Sequence, residues 1–251
     1  MDITEKQEPS SFIVLGATGG IGSELSRILA RQGARLIVAA RTEESLRTLA
    51  QSLDAIPIVT DVTDPDQVDS LMVRAKDTFG TIHGIAHCVG SLMLKPAHRT
   101  SNEEWSAVMQ TNLYSSFFVL RAGIDLFKSH GGTMVFISTA AALTGFANHE
   151  AIAAAKAGII GLVRAAAATY ANRGIRINAV APGLTRTPLT AGILRSAPME
   201  KASTTMHPLG RIGEPRDVAE VVSFLLQPSH SWITGQVYGV DGGLAHIRTN
   251  R

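Results

Sequence analysis

Three glycines, Gly16, Gly20 and Gly22, sit between an apolar run, Phe12-Ile13-Val14-Leu15, and a helical pattern through Ile21, Leu25, Ile28 and Leu29. Glycine lets the chain turn tightly and lets its backbone approach a ligand. The N-terminus of the following helix adds unpaired N–H groups and a positive dipole end. Together these suit a pyrophosphate, and the strand–turn–helix context predicts a dinucleotide site. The plainer alternative is a glycine turn kept for packing. Arg41 follows Ala40 at the end of the next expected strand. An acidic residue there would hold ribose hydroxyls and repel a phosphate. Arginine instead pairs a 2′-phosphate through charge-assisted bonds. NADP(H) is therefore favoured over NAD(H), against the alternative of an arginine solvated at a helix start. Asp61 ends the third expected strand, where its carboxylate either accepts from an adenine amino group or serves the turn before Thr63-Asp64-Pro65. Thr18, Ile21, Val62 and Gly90 complete the expected cofactor lining.

The elements that must position these groups alternate along the chain. Short apolar runs at 12–16, 34–40, 55–59, 84–88, 132–138, 175–180 and 236–240 read as buried parallel strands. Helical patterns lie between them at 43–52, from Pro65 with Asp64 as cap, over a long stretch 102–128, at 150–172 and at 217–226. This alternation predicts a single-domain Rossmann-type α/β fold over residues 1–251, a doubly wound parallel sheet with helices on both faces. The stretch 187–211 is irregular, with Pro188, Pro198 and Pro208 among Leu189, Ile193, Leu194, Met199 and Met206. It reads as a substrate lid.

Composition narrows the class. Hydrophobic residues make up 45% of the chain, enough for a large core, and 23 basic against 21 acidic residues leave a formal charge of +2. That balance gives no steering field for nucleic acid or an anionic membrane. The single cysteine, Cys88, excludes an internal disulfide, suits a reducing cytoplasm and reads as a small buried hydrophobe. Residues 1–11 are polar and lack an apolar signal core. The run 151–171 is interrupted by Lys156 and Arg164, which argues for a buried helix and against a membrane span. No Cys/His cluster suggests a metal.

With these features in place, the chain resembles the short-chain dehydrogenase/reductase family over nearly its whole length. The matching residues are Gly16, Gly20 and Gly22, Asp61, Asn112, Ser138, Lys156, Pro182-Gly183-Leu184-Thr185-Arg186-Thr187, and Gly235-Gln236 ending in Val240-Asp241-Gly242-Gly243. After the fourth strand the family carries Asn-Asn-Ala-Gly, where this chain has His87-Cys88-Val89-Gly90. The resemblance implies an oxidoreductase that moves hydride between nicotinamide and a carbonyl or alcohol of a small or medium organic substrate. It implies that Asn112 holds a water in a proton relay and that Ser138 donates to the substrate oxygen. Lys156 would bind the nicotinamide ribose and lower a neighbour's pKa. Thr187 would contact the carboxamide, and Pro182 and Gly183 would line the nicotinamide pocket. A two-fold helix interface and a homotetramer are also implied. Ala157, Gly158, Gly161, Ala165 and Ala168 on the Lys156 helix suit that interface, or packing within the subunit.

One family group is missing. The family's general acid is a tyrosine four residues before the lysine, and this chain has Ile152 there, which cannot donate a proton. His149 is the expected substitute, against the alternative of a histidine that caps or fills the loop. It precedes Lys156 by seven residues, about 700° of an ideal helix, which brings both to one cleft. A helix N-terminus disfavours the imidazolium, which suits a neutral histidine donating a hydrogen bond. Glu150 either orients the ring or simply favours the helix start. The same spacing separates tyrosine and lysine in the enoyl-acyl carrier protein reductases, a divergent branch of the superfamily. Phe146-Ala147-Asn148-His149 and His87-Cys88-Val89-Gly90 resemble that branch. Three readings stay open: a carbonyl reductase with a non-standard site, a reductase of a conjugated C=C bond using His149, and a dinucleotide-binding protein without turnover. Ile152, His149, Ser138 and Leu189 are the expected substrate contacts. Tyr114, two residues past Asn112, faces the other way on a helix and reads as packing.

Overall fold

The computed structural model describes residues 9–248. Its strands are β1 (Ser11–Leu15), β2 (Arg35–Ala40), β3 (Ile56–Val59), β4 (Gly84–His87), β5 (Gly132–Ile137), β6 (Ile175–Pro182) and β7 (Val237–Val240). They form one parallel sheet in the order β3-β2-β1-β4-β5-β6-β7. The helices are α1 (Gly20–Arg31), α2 (Glu43–Leu53), α3 (Pro65–Phe79), α4 (Asn102–Met109), α5 (Ser115–Phe127), α6 (Glu150–Tyr170), α7 (Ala197–Met206) and α8 (Pro215–Leu226). This is the expected doubly wound α/β fold. Strands β1, β4 and β6 are buried at every position, which is why they read as unbroken apolar runs. One core layer packs Ile85, Phe136, Ile159 and Ile177, and the other packs Val14, Leu25, Val38 and Val222. The chain winds outward in opposite directions from β1 and β4, so a crevice opens beyond their C-terminal ends.

Two elements differ from expectation. The stretch 102–128 is not one regular helix: α4 and α5 are joined by a π-helical turn, Gln110–Tyr114. A π turn inserts a residue and rotates the helix beyond it, and here it buries Asn112 completely while leaving Tyr114 at the surface, 49% exposed. Tyr114 is therefore not packing. The stretch 187–211 is not irregular throughout. It holds a short 3-10 turn, Pro188–Thr190, and then α7, whose N-cap Ser196 accepts from the Met199 N–H. Helix α6 starts at Glu150, as expected, which makes His149 its N-cap residue, outside the helix.

The segment Glu150–Arg173 is long and apolar enough to cross a membrane by length and composition alone. Its Ile159, Val163, Ala166 and Ala167 are packed into the core. Residues 1–8 of the polar N-terminal stretch lie outside the described residues.

Candidate active site

The glycine turn folds back on itself. Gly16 has φ +77°, and a Cβ on Gly22 would lie 2.2 Å from the Gly16 carbonyl oxygen. Only glycine tolerates either condition. Helix α1 has no side-chain cap and no acidic residue in its first turn, so its leading N–H groups are left to face an anion. Beside it lies a cleft of about 280 Å³ lined by Gly16, Thr18, Gly20, Ile21, Arg41, Val62, Gly90 and Thr187, among others. Arg41 makes no ion pair or hydrogen bond among the described residues. Thr187 crosses directly over the turn: a Cβ on Gly20 would come within 2.7 Å of its Cγ2. These features fit a dinucleotide.

Two expected contacts fall elsewhere. The Oδ1 of Asp61 accepts from the Thr63 N–H at 2.9 Å and the Thr63 hydroxyl at 2.8 Å. That is the turn role, and its neighbours Thr60 and Val62 line the cleft instead. Leu189, expected at the substrate, lines the cofactor cleft. Successive residues of a 3-10 turn point about 120° apart, so Thr190 faces the neighbouring apolar cavity while Leu189 faces the glycine turn.

Asn112, Ser138 and Lys156 converge from three elements. Ser138 follows β5, and its hydroxyl donates to the Lys156 main-chain carbonyl at 3.0 Å. The Lys156 Nζ donates to the Ile137 carbonyl at 2.8 Å. Asn112 Oδ1 accepts from the Ser91 N–H at 3.1 Å, and its Nδ2 donates to the Val108 carbonyl at 2.9 Å. Gly90 is where Asn112 and Lys156 meet, since a Cβ there would stand 3.1 Å from Asn112 Oδ1 and 3.3 Å from Lys156 Nζ. Lys156 is only 5% exposed. Desolvation brings its ammonium down to about 8, with the nearby Cys88 acting in the opposite direction. Cys88 is half-buried in the cleft wall rather than fully buried, and desolvation pushes its thiol up to about 12.

The sequence reading missed the state of His87. Its Nε2 lies 3.0 Å from the Ser115 hydroxyl, which itself donates to the Thr111 carbonyl at 2.6 Å. The Nε2 therefore carries the proton, and Nδ1 is a buried acceptor with no partner among the described residues. Desolvation, aided by the Lys156 charge, lowers this histidine to about 3.

Next to this centre is an apolar cavity of about 210 Å³. Its walls include Leu92, Leu94, Phe146, His149, Ile152, Pro182, Gly183, Ile193 and Met206. Ile152, 4% exposed, packs with Val108 and Ala155, so the tyrosine position has become a piece of apolar wall. His149 opens on the same cavity, although it stands outside the helix on which the spacing argument relied. Its Nδ1 lies 2.8 Å from the Ala147 carbonyl, which only accepts, so Nδ1 carries a proton. In the neutral ring Nε2 is then an acceptor, and only the imidazolium donates from it. The expected neutral donor is corrected accordingly. Glu150 does not orient the ring: its carboxylate accepts from the Ala97 N–H at 3.4 Å. Pro182 and Gly183 line this cavity and not the cofactor cleft.

Comparison with known proteins places this geometry. A solved structure of a short-chain type dehydrogenase/reductase from Mycobacterium ulcerans is 30% identical, covers 94% of this chain and 90% of its own, and superposes with a TM-score of 0.90. The family model described as Enoyl-(Acyl carrier protein) reductase matches residues 16–245. The chain belongs to the short-chain dehydrogenase/reductase family. It is an oxidoreductase of that family. The short-chain dehydrogenase/reductase relatives include carbonyl reductase family member 4 of Danio rerio, 35% identical over 92% of this chain and 96% of that protein. They also include an actinorhodin polyketide ketoreductase variant solved with NADPH, 28% identical with a TM-score of 0.91, covering 96% of this chain and 99% of that one.

Proposed function

We propose that this oxidoreductase uses NADP(H) to interconvert a carbonyl and an alcohol on a small or medium apolar substrate, at an active site without the family tyrosine. The observation that carries the reading is that Ile152, one helical turn from Lys156, and His149, at the N-cap of the same helix, line one apolar cavity. Preference for the phosphorylated dinucleotide rests on the unengaged Arg41 in the cofactor cleft. The NADPH held by the polyketide ketoreductase supports it.

A bound NADPH supplies the hydride. Ser138, turned from the Lys156 carbonyl, donates to the substrate oxygen. Lys156 spends one N–H on Ile137 and keeps two for ribose hydroxyls. Asn112 holds the relay water. His149, as the imidazolium, gives the Nε2 proton to the developing alkoxide. In the reverse direction the neutral ring takes it back.

The apolar wall at Ile152 favours a second reading. With no tyrosine at the carbonyl oxygen, hydride delivered to the β-carbon of a conjugated enone leaves only a proton to be added at the α-carbon. A panel of ketones, aldehydes and enones assayed with NADPH separates the readings. Ketone turnover is expected, and His149→Ala should lower it by roughly 10²–10⁴-fold while leaving NADPH affinity intact. Turnover of enones alone selects C=C reduction. No turnover with tight NADPH binding selects a non-catalytic dinucleotide-binding protein.

We infer further a cytoplasmic homotetramer with a lid over 187–211. The lone thiol of Cys88 suits a reducing compartment. Ala157, Gly161, Ala165 and Ala168 are exposed and not packed within the subunit, which supports a helix interface between copies. Helix α7 buries none of its residues, which supports a lid that opens at low cost.

A further inference from the structure

His207 immediately follows α7 and is 2% exposed, although α7 itself buries no residue. The lid helix is thus held at its C-terminal end by an imidazole. The ring Nδ1 lies 2.8 Å from the Ser203 carbonyl on α7, and Nε2 accepts from the Leu184 N–H at 3.2 Å. Leu184 lies just past the end of β6, beside the Pro182 and Gly183 wall of the apolar cavity. A carbonyl only accepts and a backbone N–H only donates, so the ring is the neutral tautomer with its proton on Nδ1. The fit is close: a Cβ on Gly183 would stand 2.9 Å from His207 Nε2. His207 also divides two spaces, lining both the apolar cavity and a second one of about 360 Å³ behind it.

We propose that His207 is a positioning residue, a latch that joins the lid helix to the end of β6 and sets the closed width of the apolar cavity, and that protonation of Nε2 releases it. The proposal rests on the reading of that cavity as the substrate site. A proton on Nε2 sets an N–H against the Leu184 N–H, donor facing donor in a buried place, and the bond must break. The charged groups around the ring are otherwise engaged. Across the rear cavity, Arg211 and Asp217 pair at 2.6 and 2.8 Å, and the Asp241 carboxylate accepts from the Gly243 and Ala245 N–H groups at 2.9 Å each. Across the apolar cavity stands His149, held by Ala147. On α7 itself Glu200 pairs with Arg186 at 2.6 Å, and Lys201 is exposed. None of these hydrogen-bonds His207.

Hydrogen exchange of the α7 amides, in the NADPH-loaded protein and corrected for intrinsic rates, tests this. Between about pH 8 and about pH 5.5 wild-type protection should fall by about tenfold, the worth of one hydrogen bond. In His207→Gln the amide keeps an acceptor for Leu184 and a donor for Ser203 but takes no proton, so protection should stay high and flat. In His207→Leu protection should be low at every pH. The proposal is overturned if wild-type protection is flat, if the glutamine variant follows the wild-type fall, or if the leucine variant matches wild type. Should the leucine variant not fold, the wild-type and glutamine pair decides alone. The readout needs no turnover, so a working latch in a protein that reduces nothing would remove the catalytic reading and leave this one standing.

Discussion

Arg41 stands in the cofactor cleft without an ion pair among the described residues, and the proposed 2′-phosphate would give it one. Arg41→Ala should therefore weaken NADPH more than NADH, by on the order of 1.5–3 kcal/mol for one charge-assisted contact. Fluorescence titration with both dinucleotides measures this, and equal losses would show that Arg41 does not read the phosphate. Ile152 answers a different question. It is nearly fully buried against Val108 and Ala155, so a phenol there must overpack the wall or swing into the cavity. Ile152→Tyr should cost about 1–3 kcal/mol of stability. It should not raise turnover of the native substrate, though it should create weak activity on simple ketones. A sharp gain on the native substrate, with His149→Ala silent, would mark Ile152 as the scar of a decayed site.

At the scale of elements, α4 carries the loop beside the cavity. Ser101 accepts from the Glu104 N–H at 3.2 Å while the Glu104 carboxylate accepts from the Ser101 N–H at 2.9 Å, a reciprocal cap. Glu104 also holds Lys95 at 2.7 Å, and Leu94 beside it is a cavity wall. Ser101→Ala should cost about 1 kcal/mol in urea unfolding, the usual worth of a cap. Glu104→Ala removes the other half of this cap and should also raise the substrate KM, because it frees the loop that bears Leu94. A Glu104→Ala enzyme with unchanged KM would separate the cap from the cavity. The π turn between α4 and α5 is the other element with a consequence, since it turns Asn112 inward toward Lys156.

For the whole molecule, two buried bases set the response to pH. His87 titrates near 3 when folded against 6.5 for an ordinary histidine. Between those values only the unfolded chain binds the proton, so stability falls as pH drops from about 6.5 towards about 3. Lys156 titrates near 8 when folded against 10.5, so its contribution rises as pH climbs through that window. Melting temperatures of the cofactor-free protein across pH should show both slopes. His87→Asn should flatten the acid side, and Lys156→Met should remove the alkaline rise. An acid slope unchanged by His87→Asn would assign it to other groups.

Much of this was legible in the chain because it depends on local period and order. Strands buried on both faces read as unbroken apolar runs, helices read through their spacing, and their alternation leaves a doubly wound sheet. Gly16, Gly20, Gly22 and Arg41 declare themselves by standing at strand ends and helix starts, whereas Ser138 and Lys156 were read through the resemblance to the short-chain dehydrogenase/reductase family. Tertiary structure decided the rest. The π turn that aims Asn112 shifts a hydrogen-bond register and leaves no pattern in residue type. The proton on His149 is placed by the Ala147 carbonyl, and Asp61 is drawn into its own turn by Thr63. Leu189 and Thr190 part company through the rotation of a short turn. His207 gains its meaning only when Leu184, distant in the chain, is folded against its ring. Periodicity reports which face of an element is buried. Which donor meets which acceptor in the crevice depends on how separate segments pack together, and no local spacing encodes that.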